Sequence, residues 1–237
     1  MVRFDAYERK ARLIPGLLAL LPIPILVVVL GLRQQPVVAT IAGLLIAVGL
    51  PVLLTSTVRD RGLRLQDVLY AKWGGAPTTE CLRHSGTSED APRREQWRRE
   101  VIKVVAHSLP TVNEEHDDQV AADGRYRAAI AETIEATRGK FPLVFEENQN
   151  YGFERNLLAM RPIGIWVAAV GILAGACAAI AQGVWSGGLS LISLVIGLLA
   201  MTALLALWLF LPTEGRVRRI GRRYAERLLD SLSQIQP

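Results

Sequence analysis

Hydrophobic and polar positions along this chain separate into long blocks. Four stretches contain no Asp, Glu, Lys, Arg or His: residues 13–32, 36–57, 162–182 and 189–211. Each is long enough to cross about 30 Å of hydrocarbon as a helix, because a helix rises about 1.5 Å per residue. The pattern predicts an all-α membrane protein in which two transmembrane helical hairpins flank a small, mainly helical cytoplasmic domain.

The first stretch contains three prolines, Pro15, Pro22 and Pro24. Each proline removes a helical hydrogen bond, so we expect this span to be kinked or broken near residues 21–24. Its 20 apolar residues exceed the roughly 7–15 of a signal-peptide core, which favours a retained span.

Basic residues give the predicted orientation. Of the 27 Lys and Arg residues, all but Arg33 lie in the N-terminal tail, in residues 58–161 or in the C-terminal tail. The positive-inside rule therefore predicts a multi-pass protein of the bacterial inner membrane with both termini in the cytoplasm. The two short connections, residues 33–35 and 183–188, are expected to face outward.

Composition excludes several classes of protein. Hydrophobic residues make up 51% of the 237 residues, and the mean hydropathy is +0.27. These values rule out an ordinary soluble enzyme or a secreted disulfide scaffold. The net charge of +5 resides in the tails, where it suits anionic lipid headgroups. We therefore expect the lipid bilayer as a partner and no nucleic acid. The lack of charges inside the spans argues against a transporter.

Small residues lie at helical spacing within the spans. Gly171 and Gly175 form a GxxxG pattern in the third span, and Gly43 lies between two alanines in the second. Such positions let helices approach closely. They indicate either packing within one four-helix bundle or a subunit interface, in which case the protein is a homo-oligomer.

The predicted organisation has four parts. Residues 1–57 form a tail and the first hairpin, 58–161 the cytoplasmic domain, 162–211 the second hairpin, and 212–237 an amphipathic C-terminal helix. Within the domain, apolar residues at helical spacing predict helices over 93–108 and 117–138. Only the short runs 101–105 and 141–145 resemble strands, the second because Phe141 precedes a proline.

A first polar-aromatic block occupies residues 69–84. Its glycine pair and Pro77 predict a turn, after which Thr78 or Thr79 caps a short helix that begins at Glu80. A ligand or partner site is one interpretation, and a domain–membrane junction with caps that satisfy backbone groups is the other. The candidate binding residues of this block are Trp73, Gly74, Gly75, Thr78, Thr79 and Arg83.

A second such block, residues 141–156, runs into the third span. If it is helical, Glu147, Tyr151 and Arg155 share one face. It is interpreted either as a site or as a junction whose polar groups satisfy the backbone. Its candidate binding residues are Glu147, Asn148, Tyr151, Arg155 and Asn156. Whether the two blocks form one site stays open.

The sequence contains no common catalytic motif. The chain has no phosphate-binding loop and no nucleophile elbow. Its three histidines lie in different segments, and Cys81 has no cysteine neighbour at metal-binding spacing. We therefore assign no catalytic residue, no metal and no cofactor.

The two blocks, YAKWGGAPTTECLRH and FPLVFEENQNYGFERN, resemble those of a family of uncharacterised bacterial four-span membrane proteins with a cytoplasmic insert. The family stands loosely beside membrane effectors of antiphage defence. The resemblance implies an effector that acts on membranes, and it carries over no functional residue.

Three functions follow as hypotheses. In the first, the cytoplasmic domain senses a small molecule or a cytoplasmic protein and alters the packing of the four spans, with an oligomeric pore as one outcome. In the second, the chain is a membrane-anchored enzyme that uses Glu146, Glu147, Asn148, His84 or Arg155. In the third, it is a scaffold or assembly subunit without activity of its own.

Overall fold

The structure is a computed structural model, and it describes residues 5–32, 35–47, 49–86, 91–185 and 191–235. These residues are mainly helical and include no strand, so the all-α prediction is confirmed. The prediction that residues 101–105 and 141–145 resemble strands is wrong, because these residues lie largely within helices. Of the two predicted outward connections, residues 33–34 and 186–188 lie outside the described part of the chain, and residues 183–185 are helical.

A π-helix and eleven α-helices follow one another along the described chain. The π-helix is Glu8–Leu13. The α-helices are α1 Ile14–Leu20, α2 Pro22–Val29, α3 Pro36–Ala47, α4 Leu50–Trp73, α5 Pro77–Leu82, α6 Ala91–Val104, α7 Val112–Asp117, α8 Gln119–Thr137, α9 Pro142–Trp185, α10 Leu191–Phe210 and α11 Glu214–Ser231.

The chain divides into two compact units. Unit 1 comprises Met1–Leu65 and Gly152–Glu214, and unit 2 comprises Gln66–Tyr151 and Gly215–Pro237. Helices α4 and α9 extend beyond the apolar stretches, and each contributes residues to both units.

Three helical segments among the described residues are long and apolar enough to span a membrane, not the four that we predicted. They are Glu8–Val29, Pro142–Ala181 and Leu191–Phe210. The predicted span 36–57 is instead two helices, α3 and the start of α4, with a 56° bend between them. At the bend Gly49 has a φ of +88°, which a continuous right-handed helix does not allow. The two pieces amount to a fourth span only if the bent pair is counted as one.

The predicted break in the first apolar stretch is confirmed. Helix α1 ends at Leu20 and α2 begins at Pro22, with Leu21 between them. The proline nitrogens of Pro22 and Pro24 carry no hydrogen, so they cannot continue the hydrogen bonds of the preceding turn.

Unit 1 is held by apolar contacts between closely spaced helices. Its buried cluster consists of Ala19, Val58, Leu157, Met160 and Trp208. The Cα atom of Gly164 lies against the indole ring of Trp208, and that of Gly197 lies against Val29. Because neither glycine has a side chain, helix α10 approaches α9 and α2 closely.

Unit 2 has its own hydrophobic core, formed by α5, α6, α8 and α11. Its buried side chains include Leu82, Trp97, Val101, Tyr126, Ile130, Ala225, Leu229 and Leu232. The predicted helices over 93–108, 117–138 and the C-terminal region are confirmed as α6, α8 and α11, although α6 already ends at Val104. The Asp118 side chain accepts a hydrogen bond from the Ala121 N–H, as a cap of α8 does.

Candidate functional site

Unit 2 contains a cavity of about 570 Å³. Its walls come from the end of α4, the turn that follows it, α5, α8, the start of α9 and α11. The lining residues are Tyr70, Ala71, Gly74, Gly75, Ala76, Pro77, Thr78, Thr79, Val120, Asp123, Arg127, Ile130, Ile134, Tyr151, Gly221 and Tyr224.

The Gly74–Gly75 turn closes one side of the cavity. Gly74 has a φ of +81° and follows the last residue of α4, as a helix-terminating glycine does. The Gly75 N–H donates to the Tyr70 carbonyl oxygen at 2.8 Å, the bond that closes a Schellman motif. The predicted turn is therefore present, but the predicted cap is wrong. Helix α5 begins at Pro77 with Ala76 as its N-cap, which places both threonines inside the helix.

Arg83 stabilises this turn through its guanidinium group. Its guanidinium group donates to both carboxylate oxygens of Asp123, at 2.8 and 2.5 Å, and to the Gly74 carbonyl oxygen at 2.6 Å. A bidentate arginine–carboxylate pair has a defined orientation as well as a favourable energy. A β-carbon on Gly75 would lie 2.9 Å from the Arg83 Nη2 atom, so the position of the guanidinium group requires a glycine there.

Tyrosines form another wall. The Tyr70 and Tyr151 hydroxyl groups are 2.9 Å apart and share a hydrogen bond. The Tyr151 and Tyr224 rings are stacked, with centroids 6.4 Å apart and planes 7° from parallel. Gly221 lies under Tyr151, where a β-carbon would be 3.0 Å from the ring. The absence of a side chain at Gly221 therefore lets α11 approach this wall.

A buried polar network holds the segment that follows Arg83. Arg98, which is 6% exposed, donates to the Leu82 and Pro110 carbonyl oxygens and to the Tyr126 hydroxyl oxygen. The Tyr126 hydroxyl group donates in turn to Glu115 at 2.7 Å, and Glu115 also accepts from the His84 N–H. Every member has partners, as buried polar groups require.

The network shifts two pKa values. Burial raises the pKa of the Glu115 carboxyl, but hydrogen bonds from Ser85, Tyr126 and the His84 N–H outweigh it and lower that pKa to about 2. Burial and the hydrogen bond to Glu115 raise the pKa of Tyr126 to about 12. At neutral pH the carboxylate is therefore charged and the phenol neutral.

The cavity has an apolar lining with few ionisable groups. Most of its lining is apolar or aromatic, and its ionisable groups are Asp123, Arg127 and the tyrosines. Asp123 is already paired with Arg83, while exposed Arg127 donates to the Asp123 backbone oxygen at 3.3 Å. Cys81, in the adjoining core, is buried, and desolvation raises its pKa to about 12. Its thiol is thus protonated and unreactive at neutral pH.

The structure brings part of the two predicted blocks together. Gly74, Gly75, Thr78 and Thr79 of the first block and Tyr151 of the second all line this cavity. Two other candidates of the first block lie beside it. Arg83 supports the turn, and the Trp73 ring lies 5.8 Å from the Arg218 guanidinium carbon.

The remaining candidates of the second block lie elsewhere. Glu147 and Asn148 are half-buried on α9, and neither is among the described residues that line the cavity. Arg155 and Asn156 belong to unit 1. There the Asn156 amide donates to the Ala11 carbonyl oxygen of the π-helix at 2.6 Å, and Arg155 donates to the Asn156 side-chain oxygen.

Sequence reasoning missed most of the cavity lining, including two residues each on α8 and α11. Asp123 and Arg127 lie four apart on α8, which puts them on one helix face, but such pairs are common on helix surfaces. Gly221 and Tyr224 lie in α11. A glycine inside the apolar stripe of an amphipathic helix is a usable signal, since it costs helix stability unless a neighbour needs the space.

The span glycines differ from one another in their surroundings. A β-carbon on Gly171 would lie 2.8 Å from the Met201 sulfur atom, and one on Gly175 would lie 3.0 Å from Leu198. Both glycines thus face α10 of the same chain. A β-carbon on Gly43 would have no described neighbour within 4 Å.

Among the described residues, no group of three or more His, Cys, Asp or Glu side chains is placed to hold a metal ion. No protein-family model, no curated protein sequence and no solved structure matches the chain. The resemblance to a four-span family therefore stays an expectation based on the two sequence blocks.

Proposed function

We propose that this chain is a membrane-anchored sensor. The apolar helices of unit 1 hold it in the bilayer, and unit 2 binds a small, largely apolar ligand in its cavity. The distribution of basic residues supports a bacterial inner membrane with unit 2 and both termini in the cytoplasm.

The cavity is the observation that carries the proposal. Its volume of about 570 Å³ lies within the range of about 300–1,000 Å³ that is typical of small-molecule sites. Its lining is mainly apolar with a few polar groups at defined positions, the two threonine hydroxyl groups and the Arg127 guanidinium group. Such a lining favours a ligand with an apolar body and a small number of hydrogen-bonding groups.

The second part of the proposal is that ligand binding alters the packing of the unit 1 helices. Tyr70 and Tyr151, which line the cavity, belong to α4 and α9, and these same two helices supply residues to unit 1. A ligand changes such an equilibrium only if it binds the two packing arrangements with different affinity. The shared Tyr70–Tyr151 hydrogen bond is one contact that a ligand could favour or break.

Two other hypotheses receive less support. An enzyme needs an acid or base near its substrate, yet Asp123 is bound by Arg83 on both of its carboxylate oxygens. An oligomeric pore through the GxxxG pattern would need Gly171 and Gly175 to face another subunit, and they face Met201 and Leu198 of the same chain. Pore formation is therefore not part of this proposal.

Native mass spectrometry of the full-length protein in dodecyl maltoside tests the binding. The protein is mixed with a small-molecule extract of bacterial cells, and the mass of any bound species is recorded. Ile134 lines the cavity, so Ile134→Trp should fill it. Leu143, which is 60% exposed on α9 and does not line it, provides Leu143→Trp as the matched control.

We expect an added mass on the wild type and on Leu143→Trp, and its loss from Ile134→Trp. Arg127→Gln, an exposed substitution, should weaken binding without loss of folding. A mass that stays bound to both cavity variants would contradict the proposal, and so would the absence of any adduct on the wild type.

A further inference from the structure

The amphipathic helix α11 does not offer its apolar side to a membrane. That side is buried in unit 2, through Val217, Gly221, Ala225, Leu228 and Leu229. A membrane-surface helix needs an exposed apolar face to insert between lipids. Any interaction of α11 with a bilayer must therefore use its other side.

The exposed side carries an arginine row, which consists of Arg219, Arg223 and Arg227. They are four residues apart, so their side chains lie one above another at intervals of about 6 Å. None of them forms an ion pair with a residue that the structure describes. Two neighbouring arginines of α11 do form ion pairs. Arg218 pairs with Glu80 and Arg222 pairs with Glu226, each at 3.1 Å.

The row borders a groove of about 560 Å³. Its lining is almost entirely charged and comprises Arg216, Arg219, Ile220, Arg222, Arg223 and Glu226. Like charges four apart destabilise a helix. An anionic partner with several charges at similar spacing would remove that cost and fit the groove.

Lipid headgroups fit this requirement better than nucleic acid does. Arg216 follows the end of α10, a candidate span, by six residues. A fully extended chain covers at most about 3.6 Å per residue, so Arg216 stays within about 22 Å of Phe210. By contrast, residues 58–161 carry 16 basic and 17 acidic residues and so offer no wider basic surface for a nucleic acid.

We infer that the arginine row of α11 binds the phosphate headgroups of anionic phospholipids in the membrane that holds unit 1. The tether to α10 keeps the row at a high effective concentration of lipid. Binding is electrostatic, because the apolar face is covered. It therefore weakens with salt and depends on headgroup charge. This inference does not depend on the ligand of the cavity.

Native mass spectrometry of the full-length protein in dodecyl maltoside, titrated with phosphatidylglycerol or phosphatidylcholine, tests the inference. The test variant is Arg219→Gln/Arg223→Gln/Arg227→Gln. The control variant is Arg99→Gln/Arg138→Gln/Lys140→Gln, which removes the same charge from three exposed positions of unit 2 outside α11. Thermal melting of each variant checks that it is folded.

We expect the wild type and the control variant to bind phosphatidylglycerol in preference to phosphatidylcholine, and the α11 variant to bind it about tenfold more weakly. Raising the salt concentration should reduce the preference. Equal binding of both lipids by the wild type, or equal loss in both variants, would overturn the inference. Displacement of phosphatidylglycerol by millimolar glycerol phosphate would also overturn it, since the row would then recognise a soluble phosphate.

Discussion

The two units of this chain are stabilised by different kinds of contact. In unit 1, helices approach each other where glycines lie against Trp208, Met201 and Val29. In unit 2, paired charges and a satisfied polar network hold short helices around a cavity, with Arg83 and Arg98 as its main donors. The stability of unit 1 depends mainly on the close fit between its helices, whereas the stability of unit 2 depends on hydrogen bonds as well.

The exposed surfaces differ in the same way. Large apolar side chains of unit 1 are exposed along its helices, for example Leu173 at 65% and Ile196 at 61%. Monomeric soluble proteins rarely present so much contiguous apolar surface, which is typical of a membrane or protein interface. The stability of unit 1 therefore depends on what covers its apolar surface, and that of unit 2 on its internal polar partners.

The largest loss of folding stability should come from breaking the polar network of unit 2. Arg98→Ala removes the hydrogen bonds to the Leu82 and Pro110 carbonyl oxygens and to the Tyr126 hydroxyl group, and we expect a loss of about 3 kcal/mol. Arg99, at the neighbouring position, is exposed. Its substitution Arg99→Ala should therefore change stability by only about 0.5 kcal/mol or less. Denaturant titration followed by tryptophan fluorescence measures both. Equal losses would show that the network does not stabilise unit 2.

In unit 1, the corresponding loss of stability should come from a steric clash between helices. A β-carbon at Gly164 would overlap the Trp208 ring, so Gly164→Ala should cost about 1–3 kcal/mol. Gly43→Ala is the matched control, because a β-carbon there has no described neighbour within 4 Å. The melting temperature in dodecyl maltoside should fall for the first variant only. A similar fall for both variants would mean that the close approach of Gly164 to Trp208 does not govern the difference, because helix propensity alone favours alanine at both positions.

A change of pH should affect unit 2 through Glu115. Its pKa is lowered to about 2 in the folded state from an ordinary 4.5. A lowered pKa gives stability that is complete above about pH 4.5 and is lost as the pH falls towards 2. We expect a smaller pH dependence for Glu115→Gln between pH 5 and 3, measured by circular dichroism melting. An unchanged pH dependence in this variant would assign the acid sensitivity to other carboxylates.

The smallest expected changes in folding stability are at two glycines of unit 2, and these two changes have opposite signs. Gly74 has a φ of +81°. A side chain in that conformation is strained, so Gly74→Ala should cost about 1 kcal/mol. Gly124 lies inside α8, where a β-carbon has no described neighbour within 4 Å. Gly124→Ala should therefore stabilise by about 0.5–1 kcal/mol. Melting temperatures that shift in the same direction would contradict the assignment of the Gly74 turn.

Much of the helical structure could be predicted from local signals. Asp118 marks the start of α8, and apolar spacing located α6 and α11. By contrast, Pro142 was interpreted as part of an extended run although it begins α9. The prediction of one continuous second span was wrong, because composition alone does not show that Gly49 adopts a positive φ. The long continuation of α9 across both units was also missed, since Pro162 lies inside it and prolines usually end helices.

The candidate site was predictable only in part. The density of glycine, threonine and aromatic residues identified Gly74, Thr79 and Tyr151, which do line one cavity. Asp123 and Tyr224 could not be found, because each meets the site only through tertiary contacts with residues distant in sequence. A single sequence contains no record of such pairs.

Filling the unit 2 cavity should change helix packing in unit 1, and hydrogen exchange of the full-length protein in lipid nanodiscs measures that change. Exchange of the unit 1 residues 162–181 would be compared with and without the small-molecule extract, in the wild type and in Ile134→Trp. We expect a change in the wild type that is absent from Ile134→Trp. Unchanged exchange in a wild-type sample that carries the bound mass would contradict it.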